Sequence, residues 1–117
     1  MKHETFHESL KNKMDSYAHL IYRLTRNFPR DELFGVVSQI RRSALSVILN
    51  YVEGYARGGE KSHRNFLEIS YGSLKESKYL LHFSLVEKYL TEKDYCEAVK
   101  LADDIGAMLW GVIRNLK

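Results

Sequence analysis

From Phe6 onward, apolar residues recur every three or four positions: Phe6, Leu10, Met14, Tyr17, Leu20, Ile21, Leu24 and Phe28. That spacing follows the α-helical turn and lays one apolar stripe along it, predicting a first helix from about Glu4 to Arg26. "NFPRDE" ends this helix, and the same period returns in Leu33, Val37, Ile40, Ala44, Val47, Ile48, Tyr51 and Tyr55, a second helix from about Arg30 to Ala56. Pro29 suits the first turn of that second helix, where a missing N–H costs nothing. Asp31 and Glu32 complement the positive end of its dipole. After "RGGEK", Ser62 is the expected N-cap of a third helix reaching about Lys88. Thr91 opens a fourth through a predicted capping box with Asp94, and its stripe includes Ala98, Ala102, Ile105, Leu109 and Ile113. Runs of alternating polarity, the signature of strands, are missing. The fold class is therefore all-α. Four helices of roughly 33 to 40 Å joined by short turns describe an antiparallel up-down four-helix bundle, a single domain over residues 1–117.

The third helix carries a seam of small residues. Ser70, Ser73, Ser77 and Ser84 share one side, flanked by Phe66, Leu67, Leu74, Leu80 and Leu81. Small side chains let two helices approach closely, and a buried hydroxyl can bond back to the carbonyl one turn earlier. A catalytic serine would need a base beside it, and the sequence pairs no histidine with any of these.

Charge is sparse along the second helix. Between Leu33 and Ala56 only Arg41, Arg42 and Glu53 are charged, so something other than water is expected to cover much of it. At about 100° per residue, Arg41 falls inside the apolar margin beside Phe34, Leu45, Ile48 and Val52, whereas Arg42 points to the far side. A guanidinium among apolar neighbours needs a carboxylate or carbonyls. An ion pair from Arg41 to Glu76 on the third helix is expected, with Glu68 the second candidate. The far side holds Gln39, Ser43, Ser46, Asn50 and Arg57, and it is polar but mostly uncharged. Leu45 and Leu49 widen the apolar arc past half the circumference, more than one bundle core uses. Gln39, Ser43, Leu45, Ser46, Leu49 and Asn50 are accordingly candidates for contact with other copies of the chain, against the plainer reading of a solvated face.

Composition narrows the class further. With 44% hydrophobic and 28% charged residues the chain fits neither disorder nor a membrane protein. Its apolar runs fall far short of the roughly 18 residues that span a bilayer, and "MKHETFHESLKNK" lacks the apolar core of a signal peptide. A cytoplasmic location without membrane contact is expected. One cysteine, Cys96, excludes an internal disulfide and fits a reducing compartment. The net charge of +3 permits nucleic-acid contact without requiring it, so any such argument rests on clustering.

"FPRDELFGVVSQIRRSALSVILNYVEGYAR" and "NFLEISYGSLKE" together resemble the four-helix-bundle family of 23S ribosomal RNA intervening-sequence proteins. The matching residues are Phe28, Pro29, Gly35, Gln39 to Arg42, Ser46, Asn50, Glu53, Gly54, Arg57, Phe66, Leu67, Gly72, Ser73 and Glu76, within about residues 20–80. Tyr51 and Val52 depart from the family's usual Ile-Ala, and Ile48 and Leu49 stand where smaller residues are common. Related accessory proteins of diversity-generating retroelements form five-membered rings and bind nucleic acid and a reverse transcriptase. The resemblance thus implies a homopentamer, and it implies no established enzyme activity.

Two further motifs bear on chemistry. "HETFH", residues 3–7, matches the H-E-x-x-H zinc helix, but it starts beside a chain end and lacks a third ligand. No catalytic, cofactor or metal site is assigned. Arg57, Lys61, His63 and Arg64 gather at the turn between the second and third helices, and Arg23, Arg26 and Arg30 at the turn before. These turns lie at opposite ends of an up-down bundle, and a ring would repeat each patch around its axis. Arg42, Arg57, Lys61 and Arg64 are the candidates for contact with RNA or DNA. The expected function is a non-enzymatic, self-associating bundle that contacts nucleic acid. The alternatives are an adaptor that docks a partner enzyme and, more remotely, a zinc-dependent hydrolase.

Overall fold

The computed structural model describes residues 4–57 and 59–116. Its four long helices are α1 (Phe6–Thr25), α2 (Ser38–Ala56), α3 (Glu60–Val86) and α4 (Glu92–Arg114), with no strand among the described residues. Helix α1 packs against α2 and α4, and α3 packs against the same two. The chain thereby closes a four-helix bundle.

Contacts at the two ends show the up-down course. At one end His7, at the start of α1, shares a 2.6 Å hydrogen bond with Tyr51 near the end of α2. There too Arg64 of α3 donates to the Leu116 carbonyl just beyond α4 at 2.9 Å. At the other end the Tyr89 hydroxyl, between α3 and α4, donates to Glu32, between α1 and α2, at 2.8 Å.

The predicted stripes supply the core. Leu10, Met14, Ile21, Ile40, Leu74 and Leu109 are almost wholly enclosed. Tyr17 is enclosed as well, and its hydroxyl lies 2.7 Å from that of Ser77 across the bundle. Ser77 donates to the Leu74 carbonyl at 2.9 Å, which leaves its oxygen to accept from Tyr17. Of the predicted stripe positions, Phe6, Leu33 and Tyr55 remain about half exposed.

Helix starts follow local chemistry, with departures from the sequence reading. Thr91 accepts the Asp94 N–H at 3.1 Å, one half of the predicted box, while a return bond from the Thr91 N–H to the Asp94 carboxylate is absent among the described residues. A full reciprocal box forms at α1, where Thr5 accepts the Glu8 N–H at 3.0 Å and Glu8 accepts the Thr5 N–H at 3.1 Å. Helix α3 begins earlier than a Ser62 cap would place it. Its N-cap is Gly59 at φ +93°, a left-handed conformation that glycine adopts without a Cβ penalty.

Helix α2 begins later than predicted. Arg30–Glu32 form a 3-10 turn and Leu33–Val37 a wide π turn, broken at Gly35 with φ −109° and ψ −112°. Glu32 folds over the break and leaves no room for a side chain there: a Cβ on Gly35 would stand 2.6 Å from the Glu32 Oε1. The same carboxylate accepts the Val36 N–H at 3.4 Å and the Tyr89 hydroxyl. The kink turns Phe34 outward to 92% exposure.

Candidate assembly surface

Small residues bring α2 and α3 together. Ser70 donates to the Val47 carbonyl at 2.6 Å, and the Ser46 and Ser73 hydroxyls meet at 2.7 Å. Asn50 Nδ2 donates to the Ser46 carbonyl at 2.9 Å and to its Oγ at 2.8 Å. At Gly54 an added Cβ would come within 3.2 Å of Phe66 Cβ, so the helices nearly touch there. The polar line expected to face away from the core therefore divides. Ser43 is buried and donates to the Ile40 carbonyl at 3.1 Å, so it is corrected from the candidate contact surface to the protomer interior. Ser46 and Asn50 are half-buried in the seam, while Gln39 and Arg42 are exposed. The physical reason is that α3 covers one edge of the polar line, which a single helical wheel cannot show.

Arg41 also finds a different partner. Its Nε donates to Thr25 Oγ1 at 2.9 Å, its Nη2 to the Tyr22 carbonyl at 3.3 Å, and its guanidinium lies 4.6 Å from the Tyr22 ring centre. The expected Arg41–Glu76 tie is absent from the ion pairs among the described residues, and Glu76 is exposed. Arg41 sits on the α1 side of α2, within reach of the last-turn carbonyls of α1, where the helix dipole favours a cation. The tie joins α2 to α1 rather than to α3. Arg41→Met should lower the unfolding free energy by about 2 kcal/mol, the scale of a hydrogen-bonded charge. Chemical denaturation checks this, and an unchanged midpoint would refute the tie.

Outside the seam, large apolar side chains face solvent on both helices. On α3, Ile69, Tyr79, Phe83 and Val86 are 51%, 63%, 37% and 61% exposed, opposite the buried serines. On α2, Leu49 is 61% exposed and lines an open groove of about 470 Å³ with Tyr22, Arg41, Arg42 and Leu45. Gly72, between these α3 residues, has nothing within 4 Å of an added Cβ. No packing inside the protomer asks for a glycine there, in the middle of a helix.

The 23S rRNA-intervening sequence protein family matches residues 9–111. The chain belongs to that family. A solved structure with the same fold is the crystal structure of a protein of unknown function from the S23 ribosomal protein family of Bacteroides thetaiotaomicron. It matches with a TM-score of 0.88 and 22% identity over 95% of this chain and 100% of that one. Among curated proteins none matches. Mapped onto the bundle, the 23S rRNA-intervening sequence protein pattern splits in two. Phe28, Gly54 and Leu67 are buried, whereas Gln39, Arg42, Gly72 and Glu76 are exposed on the outer surface of α2 and α3.

The remaining candidates of this family member are placed as follows. Arg57 is paired with Glu53 at 2.8 Å and lies 5.5 Å from the Phe66 ring centre. Arg64 holds the Leu116 carbonyl and approaches Glu68 at 3.7 Å. Lys61 is exposed. Arg23, Arg26 and Arg30 are exposed at the opposite end, without an ion pair among the described residues. Of "HETFH", His3 lies outside the described residues, and His7 bonds Tyr51 and packs 5.0 Å from the Tyr55 ring. Among the described residues no three His, Cys, Asp or Glu side chains converge on a metal position. No described helix is long and apolar enough to cross a membrane.

The sequence reading missed two features of this surface. The Tyr79–Phe83–Val86 spacing of four and three is present in the sequence, but a helical spacing opposite the serine line does not by itself tell an exposed stripe from a second core face. Thr25, the acceptor for Arg41, carried no signal until α1 and α2 were packed.

Proposed function

We propose that this protein is a non-enzymatic, self-assembling helical scaffold whose protomers join through the outer surface of α2 and α3. The observation that carries this reading is the exposed apolar surface itself. Tyr79, Phe83, Ile69 and Leu49 stand in water beside a groove, on a chain whose core is already filled by other residues. Exposed apolar patches of this kind mark contact sites, and burying them yields about 25 cal/mol per Å². Family membership supports a ring of five copies. Light scattering or native mass spectrometry is expected to give five times the 13.7 kDa protomer mass. A monomer at micromolar concentration would refute self-assembly.

Within this proposal the ring contacts RNA or DNA through repeated basic helix ends. Arg23, Arg26 and Arg30 join Lys61 as the main contributors, because Arg57 and Arg64 are engaged within the protomer. Such contact is driven by counterion release, so affinity should fall steeply as salt rises. Binding that is insensitive between 50 and about 200 mM salt would refute the electrostatic form. The engagement of Arg57 and Arg64 favours a second reading, an adaptor that docks a partner protein without nucleic acid. Retention of a partner after nuclease treatment would select it.

A further inference from the structure

A groove of about 170 Å³ runs between α3 and α4, with no residue of α2 in its lining. Its two ends differ in chemistry. At one end the Tyr71 and Trp110 rings meet at 5.4 Å, tilted by 40°, and Trp110 stays 48% exposed. At the other end Lys78 pairs with Asp103 across the two helices at 2.6 Å. Lys75, one turn from Tyr71, lies between them with its Nζ 5.2 Å from the Tyr71 ring centre. The floor is almost bare. Gly106 and Ala107 line it, and a Cβ added at Gly106 would meet Leu74 at an ordinary contact distance of 3.4 Å. Helix packing therefore does not require this glycine, which weakens the helix it sits in. Its effect is to keep the groove open.

We propose that this groove takes an unstacked base of single-stranded RNA or DNA on the Trp110 and Tyr71 rings, with the flanking phosphates on Lys75 and Arg114. This rests on the nucleic-acid reading above and adds to it a place on the side of the bundle and a preference for single strands. Aromatic side chains stack on any base, because every base has a π-face, and cations beside them track the backbone. Arg114 stands exposed one turn beyond Trp110 on the same edge of α4, so the aromatic pair has a cation on each side along the groove. A free nucleotide carries its phosphate at one end and uses one of these cations. A strand continues in both directions and uses both. Neither Lys75 nor Arg114 forms an ion pair among the described residues, whereas Lys78 is held by Asp103. A duplex keeps its bases stacked on one another and offers none to the rings.

Trp110 is the chain's single tryptophan, so its fluorescence reports on this groove alone. Titrating the full chain with an oligothymidylate of about 12 nucleotides should quench that emission in step with the binding read by anisotropy of a labelled strand. A blunt duplex of the same length should bind without quenching, and thymidine monophosphate should quench only at far higher concentration. Trp110→Leu should weaken strand binding about tenfold, on the scale of one lost base stack, and Trp110→Phe should retain most of the affinity. The position is half exposed, so circular dichroism should show an intact bundle in both variants. Lys75→Glu and Arg114→Glu should each weaken strand binding more than duplex binding.

Strand binding that leaves the tryptophan emission unchanged would overturn the inference. So would equal quenching by the duplex or by the mononucleotide, or a Trp110→Leu variant that binds the strand as tightly as the wild type. Those results leave contact with nucleic acid standing. If neither strand nor duplex binds at low salt, the reading on which the inference rests fails instead.

Discussion

Replacing Ser70 with leucine should lower the unfolding free energy by about 3 kcal/mol, whereas Ser70→Ala should cost only about 1. Ser70 is fully enclosed between α2 and α3, and its hydroxyl reaches the Val47 carbonyl at 2.6 Å. Alanine removes that hydrogen bond and little volume. Leucine removes the bond and inserts three carbons where two helices already touch, so they must separate or the side chain must leave its preferred rotamer. Separation would also strain the Ser46–Ser73 bond and the Gly54–Phe66 contact, which depend on the same close approach. Denaturant unfolding at one fixed protein concentration measures the difference, because assembly would otherwise add a concentration-dependent contribution. Equal losses for the two variants would mean that the seam is looser than its hydrogen bonds indicate.

That seam also shows which features a sequence discloses. Periodicity is a local property, so the four helices, their order and the enclosed positions of Leu10, Met14, Ile40, Leu74 and Leu109 could be read directly. The serine line of α3 was legible for the same reason. What a helical wheel cannot supply is the angle at which a neighbour sits. Ser43 and Arg41 were assigned to sides by their own helix alone, and packing of α3 and α1 against α2 reassigned both. The break at Gly35 was hidden differently. It depends on Glu32 folding back under Tyr89, a contact between residues 57 positions apart.

The same distinction applies to the candidate surface. Leu45 and Leu49 stood out because they widened an apolar arc beyond what a core uses. Arg42 and Arg57 are both cations of α2 and its end, and only geometry separates them: Arg57 pairs with Glu53 at the surface, and Arg42 lines an open groove. The unsatisfied apolar area lies on the broad faces of α2 and α3 rather than at the basic helix ends. Under the proposed self-assembly, that second apolar surface is what a neighbouring copy covers.

Raising the pH from about 10 to about 12 should remove up to about 3 kcal/mol of stability through Tyr17 alone. Burial is the main cause, since it disfavours the phenolate and pushes the Tyr17 hydroxyl up to about 12; the Ser77 hydrogen bond opposes the shift, and Asp103 adds to it. In the unfolded chain the hydroxyl ionises near its ordinary value of 10.0. Below that value both states hold the proton and the contribution is complete. Between the two values the unfolded chain loses its proton while the native chain keeps it, so stability falls by about 1.4 kcal/mol per pH unit. Tyr17→Phe has no proton to lose. It should cost about 1 kcal/mol at neutral pH, through the lost bond to Ser77, and then decline less steeply than the wild type above pH 10. The two stability curves should therefore cross near pH 11. Burial also disfavours the phenolates of Tyr51 and Tyr55 and pushes their hydroxyls above the ordinary value, so the variant retains some slope of its own. Parallel curves from pH 9 to 12 would show that the Tyr17 hydroxyl reaches solvent, and would place the close helix packing around Ser77 in error.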